Sequence, residues 1–191
     1  MMKVSTRILV FLALALFMGA SASYAATISL VGTGDISNPS NSGSSDSYGN
    51  KVGFGGGALM DFRLMERTAF EVGGLYITRK LDDTTTGDVT QTHAIQVPVL
   101  LRFYLHPMIS IGFGGYWAHA SSDATSQGYK SSDYGLVGGA AVRFPLTQAM
   151  RLLVDVRYND GLANVSTGDA TIKNRDIQAL VGFQFALGML R

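Results

Sequence analysis

From residue 26 onward, apolar residues recur at every second position, and the segments that carry this pattern are joined by connections that are alternately short and long. A period of two places one apolar face on a strand, whereas a helix would need a period near 3.6. The pattern predicts eight strands: Thr27–Thr33, Val52–Leu64, Thr68–Thr78, Thr92–Leu105, Met108–His119, Asp133–Phe144, Met150–Asn159 and Arg175–Leu187. Met65–Arg67, His106–Pro107 and Pro145–Ala149 are short turns. Residues 34–51, 79–91, 120–132 and 160–174 are long and rich in Ser, Thr, Asp, Asn and Gly. Hairpin-joined strands with one short-turn rim and one long-loop rim make an up-and-down barrel, and an even strand count returns both termini to the short-turn rim.

The two parities of each strand differ in kind. Ile95, Val97, Val99, Leu101 and Phe103 form one apolar row, opposed by Gln96, Pro98, Leu100, Arg102 and Tyr104. Leu152, Val154, Val156 and Tyr158 oppose Asp155 and Arg157. Alternation alone fits both a membrane barrel and a soluble ligand-binding barrel, so three further patterns decide which face meets lipid. The apolar parity carries Phe62, Phe70, Phe103, Phe144 and Phe185 at the short-turn rim and Phe54, Tyr76, Trp117, Tyr134 and Tyr158 at the long-loop rim. Two aromatic girdles around an aliphatic band match two membrane interfaces. After residue 25, Lys occurs only in loops and at strand ends, at Lys51, Lys80, Lys130 and Lys173. Most strand glycines fall on the polar parity, including Gly53, Gly57, Gly112, Gly139 and Gly182. The bore of an eight-stranded barrel is just wide enough to be filled by side chains. Glycine there leaves room for Arg. Turning the polar parity outward would cost about 2–4 kcal/mol for each Arg at the bilayer midplane. The fold expected is an all-β, eight-stranded, antiparallel, transmembrane up-and-down barrel over residues 26–191.

Residues 1–25 read as an address. Lys3 and Arg7 precede an unbroken run of apolar or small residues from Ile8 to Ala20, and Ser23-Tyr24-Ala25 fits a small-x-small cleavage site. This is the layout of a secretory signal peptide. The apolar run is shorter than the roughly 20 residues a membrane helix needs.

Composition closes off several functions. The chain has 191 residues and a formal net charge of +1, without the basic excess of a nucleic-acid binder. It has no Cys, which excludes disulfides, thiolate metal sites and Cys nucleophiles. His93, His106 and His119 show no metal-ligand spacing, so no metal and no cofactor is expected.

With the segments Gln96-Val97-Pro98-Val99-Leu100-Leu101-Arg102, Gly112–Gly115 and Arg157-Tyr158-Asn159-Asp160-Gly161-Leu162, the chain resembles the small outer-membrane β-barrel family of diderm (Gram-negative) bacteria. The likeness spans residues 50–187 or so. Gly182-Phe183-Gln184-Phe185-Ala186-Leu187 is similar to the terminal signal read by the barrel assembly machinery, with Leu187 where that signal has an aromatic residue. The resemblance implies an outer-membrane location, reached through the periplasm, with membrane lipid and lipopolysaccharide as surroundings. It implies no catalytic residues.

The inward parity collects Asp61, Arg63, Glu71, Arg102, Arg143, Asp155 and Arg157. Asp61 and Glu71 should face each other across the Met65–Arg67 turn. Two adjacent carboxylates need cations, so a polar network is expected in which Glu71 is held by Arg63, Arg102 or Arg143. Such a filled bore favours a structural or surface-binding role (envelope integrity, recognition or adhesion) over a small-solute pore. One enzymatic alternative stands beside it. His119-Ala120-Ser121 followed by Asp133 is similar to the Ser-His-acid site of outer-membrane lipid A deacylases, although that family has Glu as the acid and Asn after the Ser. The loops are acidic, with Asp35, Asp46, Asp82, Asp83, Asp88, Asp123, Asp160 and Asp169. These carboxylates are read as solvated, with cation bridging to lipopolysaccharide as the sharper alternative. The signal reading makes a direct prediction. Terminal sequencing of the protein recovered from the outer membrane should begin at Ala26, and a retained Met1 would overturn it.

Overall fold

The computed structural model describes residues 26–37, 40–42, 51–82, 89–120, 132–163, 171–173 and 175–187. Residues 1–25 lie outside the described residues. Ten strands follow in chain order: β1 (Ala26–Ser37), β2 (Ser40–Ser42), β3 (Lys51–Met65), β4 (Thr68–Asp82), β5 (Val89–His106), β6 (Ile109–Ala120), β7 (Ser132–Pro145), β8 (Met150–Gly161), β9 (Thr171–Lys173) and β10 (Arg175–Leu187). Eight form a closed antiparallel barrel in the order β1-β10-β8-β7-β6-β5-β4-β3.

The first strand closes the ring. It pairs with β10 from Ala26↔Leu187 to Ser37↔Asp176 and with β3 from Ala26↔Phe62 to Ser37↔Lys51. Closure gives the backbone groups a partner inside the protein, which hydrocarbon cannot supply. The β4–β5 ladder runs from Asp82↔Val89 to Leu75↔Gln96 and resumes at Val72↔Val99. The interruption falls at Pro98, which has no N–H to give.

Several strands outrun their sequence-based limits. β1 continues four residues beyond Thr33, β4 runs to Asp82 rather than Thr78, and β5 begins at Val89 rather than Thr92. Parts of the expected loops 34–51, 79–91 and 160–174 are therefore strand. The segment 40–42 pairs with 171–173 as a separate two-stranded sheet. Strand beyond the bilayer is polar on both faces, so it carries no alternation, and only pairing reveals it. The short-turn rim is stitched between neighbouring turns: Tyr104 N donates to Arg67 O (2.8 Å), Arg143 N to Met108 O (2.7 Å) and Ala186 N to Ala149 O (3.0 Å). His106 Nδ1 accepts from Met108 N at 3.2 Å, which folds the Pro107 turn.

Inward and outward faces follow the sequence parities. Phe54, Tyr76, Trp117, Tyr134 and Tyr158 are exposed on the outer wall near the long-loop rim, with Phe70 and Phe144 near the other; Phe62, Phe103 and Phe185 are half-buried on the same wall. The inward face is less polar than its sequence reading. Val31, Leu59, Leu75, Ile77, Ala141, Leu153 and Leu180 form one buried cluster, and Leu100, Tyr116 and Val137 another. A closed bore is a core, and apolar side chains fill it as well as polar ones do.

Glycine is what makes the bore narrow. A Cβ on Gly55, Gly57, Gly114 or Gly182 would press on the carbonyl oxygen of Tyr76, Gly74, Val99 or Leu30 on the adjacent strand. A Cβ on Gly112 would come within 3.3 Å of Arg102 Cγ, and one on Gly139 within 3.0 Å of Arg157 Cγ. The outward Gly74 has nothing within 4 Å of its would-be Cβ. This contrast is testable. Gly182→Ala should lose about 1–3 kcal/mol of barrel stability through overpacking, and Gly74→Ala should change it by less than about 0.5 kcal/mol. Urea unfolding followed by the heat-sensitive gel shift of the closed barrel measures both. Equal effects would contradict the assignment of faces.

Candidate functional site

The charged residues of the interior network come from five strands, β3, β4, β5, β7 and β8. Asp61 on β3 pairs in register with Glu71 on β4, so two carboxylates stand side by side, an arrangement that repels unless cations intervene. Arg102 on β5 donates through Nε to Glu71 Oε2 at 2.5 Å and through Nη2 to Asp155 Oδ2. Arg157 on β8 donates through Nη2 to Glu71 Oε1 at 2.8 Å and to Asp155 Oδ2 at 2.7 Å. Each Arg thus bonds both acids, and each acid bonds both Arg. The result is a closed ring of four charges, every member at most 1% exposed. The planar guanidinium fork permits this two-way sharing, which a Lys ammonium would serve less well.

A second group surrounds Asp61. Gln184 Nε2 donates to Asp61 Oδ2 at 2.8 Å and Thr27 Oγ1 lies 3.4 Å from the same oxygen. Arg143 Nη2 is 3.8 Å from it, while Arg143 Nη1 donates to Ser110 Oγ at 2.7 Å. The guanidinium carbons of Arg63 and Arg143 lie 4.6 Å and 4.9 Å from the Tyr104 ring centroid, within cation–π range. The structure therefore brings Asp61, Glu71, Arg102, Arg143, Asp155 and Arg157 together and places Arg63 against Tyr104. The charged residues alone do not describe the network, because Gln184, Thr27, Ser110 and Tyr104 belong to it. Their signal in the sequence was their inward parity.

The contacts cross the bore. In a ring of eight, strands four places apart are diametrically opposed, which sets β8 against β4, β7 against β3 and β10 against β5. Arg157–Glu71, Arg143–Asp61 and Gln178–Gln96 (3.4 Å) each join such a pair. Side chains that touch across a diameter leave no open lumen at their level.

The acid and the base of the hydrolase constellation are not brought together. Asp133 is buried inside the barrel, where its Oδ2 accepts from the Tyr116 hydroxyl at 3.2 Å. His119 stands on the outer wall, with Nδ1 3.4 Å from Ser132 Oγ. The backbone pairs are Ala118↔Asp133 and His119↔Ser132, so the acid and the base belong to opposite parities and opposite faces. Ser121 lies outside the described residues. Among the described residues no group of three or more His, Cys, Asp or Glu is arranged to hold a metal ion.

The acidic loop reading also changes. Asp35 is a buried strand residue, 1% exposed, and Asp160 pairs with Arg175 at 3.1 Å on the barrel surface. Asp82 closes β4. Asp46, Asp83, Asp88, Asp123 and Asp169 lie outside the described residues.

Removing one member of a buried ion ring strands the others. Arg157→Met should cost about 3–5 kcal/mol, read as a lowered denaturant midpoint for the folded barrel in detergent. A loss below about 1 kcal/mol would mean that the ring contributes little to the fold.

Outer membrane protein AlkL, solved by solid-state NMR in lipid bilayers, superposes with a TM-score of 0.56 at 11% identity, covering 90% of this chain and 95% of that one. Neisserial surface protein A superposes with a TM-score of 0.50 at 15% identity, covering 84% and 97%. The attachment invasion locus protein Ail of Yersinia pestis gives 0.48 at 15% identity, covering 83% and 98%. At these identities the likeness is one of fold. No curated protein matches the sequence. The family profile described as "Outer membrane protein beta-barrel domain" matches residues 8–185. The chain belongs to the outer membrane protein β-barrel domain family and is a protein of the outer membrane.

Proposed function

We propose that this barrel acts through its outer surface and extracellular loops, as a structural or surface-binding element of the envelope, and not as a conduit. The observation that carries this reading is the set of contacts between diametrically opposed strands. Arg157–Glu71, Arg143–Asp61 and Gln178–Gln96 bridge the bore. The charged ring is sealed, with exposures of 0–1%. A solute would have to break buried ion pairs to pass, at a cost of several kcal/mol. Sequence length and polarity concentrate instead in the connections at the long-loop rim. The separation of His119 from Asp133 onto opposite faces removes support for the lipid A hydrolase alternative.

A planar-bilayer recording tests the reading. The wild-type protein should give no steady conductance, whereas the Arg102→Ala, Arg157→Ala double variant, once its heat-sensitive mobility shows that it is folded, should give measurable openings. Stable wild-type channels would favour a small-solute pore. In cells, trimming the long loops should abolish the envelope phenotype that the intact gene restores to a deletion strain. A phenotype carried fully by the trimmed barrel would overturn a loop-based role.

A further inference from the structure

Three acids and three arginines balance one another inside the barrel. Asp61, Glu71 and Asp155 each lie within ion-pair range of Arg102, Arg143 or Arg157. Arg63 is a further inward guanidinium with no acid left to meet it. It is half-buried, two residues from the Met65 end of β3, and its guanidinium carbon lies 4.6 Å from the Tyr104 ring centroid. Arg151, the second residue of β8, shares the inward parity of Leu153, Asp155 and Arg157 and is exposed at the mouth. Among the described residues, neither Arg63 nor Arg151 forms an ion pair with a carboxylate. Glu66 and Arg67, on the turn beside Arg63, are both exposed and cancel in charge. The short-turn mouth of the bore therefore carries a surplus of positive charge.

These groups share one end of the bore. The Arg143 guanidinium carbon lies 4.9 Å from the same Tyr104 ring that Arg63 stacks on. Tyr104 stands on β5, two places in the ring from β3 and two from β7, so guanidinium groups reach it from opposite walls. The pairs Pro145↔Arg151 and Arg143↔Leu153 make Arg143 and Arg151 diagonal on adjacent strands, about 7–8 Å apart by sheet geometry. On the far side, Gln184 bonded to Asp61 and Arg143 bonded to Ser110 fill the bore. A ligand can reach these arginines only from the short-turn rim, which in an outer-membrane barrel faces the periplasm. One donor at the inner end is unmet. Arg143 is 1% exposed, its Nη1 is spent on Ser110 and its Nη2 is directed to Asp61, but its buried Nε–H has no acceptor. A buried charged donor without an acceptor is costly, and an oxyanion would satisfy it.

We infer that Arg63, Arg143 and Arg151 form a periplasm-facing site for a small oxyanion, the carboxylate or phosphate group of a soluble ligand. Guanidinium forks match both groups with paired N–H donors. Tyr104 keeps the Arg63 guanidinium at the mouth instead of out in water. That stack is weaker than a charge-assisted pair, so Arg63 can turn from the ring onto an anion and close over it. The surplus positive charge draws anions toward the mouth. The site rests on the fold and on the outer-membrane location of the barrel, and not on the proposed role of its loops.

The test uses the full mature protein folded in an uncharged maltoside detergent, which presents no phosphate of its own. Inorganic phosphate, N-acetyl-alanine and N-acetyl-alanine amide are titrated separately at low salt, and the arginine Nε–H signals are followed by heteronuclear NMR. At least one of the two anions should bind and move the signals of Arg63 and Arg143, while those of Arg102 and Arg157 stay in place. The tighter of the two identifies the source as a phosphate group or a peptide-type carboxylate. The amide, which lacks the charge, should not bind. Arg63→Gln and Arg151→Gln, each checked for folding by its heat-sensitive mobility, should weaken binding about tenfold. Arg67→Gln, on the same rim but outside the site, should leave the affinity unchanged. Absence of binding by both anions, or equal binding of the amide, would overturn the site. A loss in Arg67→Gln as large as that in Arg63→Gln would overturn it too, since it would reveal only diffuse attraction to a positive rim.

Discussion

A strand in a bilayer has nowhere to send its backbone hydrogen bonds except to another strand, and the rest of this molecule is arranged around that requirement. Eight strands satisfy it by closing on themselves, with β1 held on one side by β10 and on the other by β3. The narrow ring then dictates its own interior. Gly57, Gly114 and Gly182 stand where a Cβ would meet the carbonyl of the next strand. Gly112 and Gly139 stand where it would meet the stems of Arg102 and Arg157. The glycine pattern and the arginine pattern are two consequences of one small radius.

The ionic ring follows from the same geometry. Asp61 and Glu71 are made adjacent by a two-residue turn and are charged alike, so their burial requires cations from elsewhere. Those cations arrive from across the bore, as Arg157 and Arg143, and from the neighbouring strand β5, as Arg102. Arg157 therefore connects β8 to β4 and Arg143 reaches from β7 toward β3. Local pairing keeps the wall together, while the charged side chains brace opposite walls against each other. A bore braced in this way is filled by side chains at that level.

How much of this was legible in the chain depends on the range of each interaction. Period two in segments such as Ile95–Phe103, together with alternating connection lengths, is enough to specify the eight barrel strands and the barrel, because each is a local preference repeated eight times; the membrane location needed the aromatic, Lys and glycine patterns as well. The adjacency of Asp61 and Glu71 was readable for the same reason, since a short turn fixes register. The limits of β1, β4 and β5 were not readable, because strand that leaves the bilayer has water on both sides and no reason to alternate. Likewise the sheet between 40–42 and 171–173 joins polar segments that show no pattern of their own.

By itself the sequence determined which residues face inward and which face outward, since parity and hydropathy are properties of single strands. Only the tertiary structure decided the partners. Arg157 meets Glu71, 86 residues away, because β8 and β4 stand at opposite ends of a diameter. His119 meets Ser132 and not Asp133, because antiparallel pairing sends neighbouring residues to opposite faces. Contacts through the bore depend on the order and closure of the whole ring, which no segment of the chain contains.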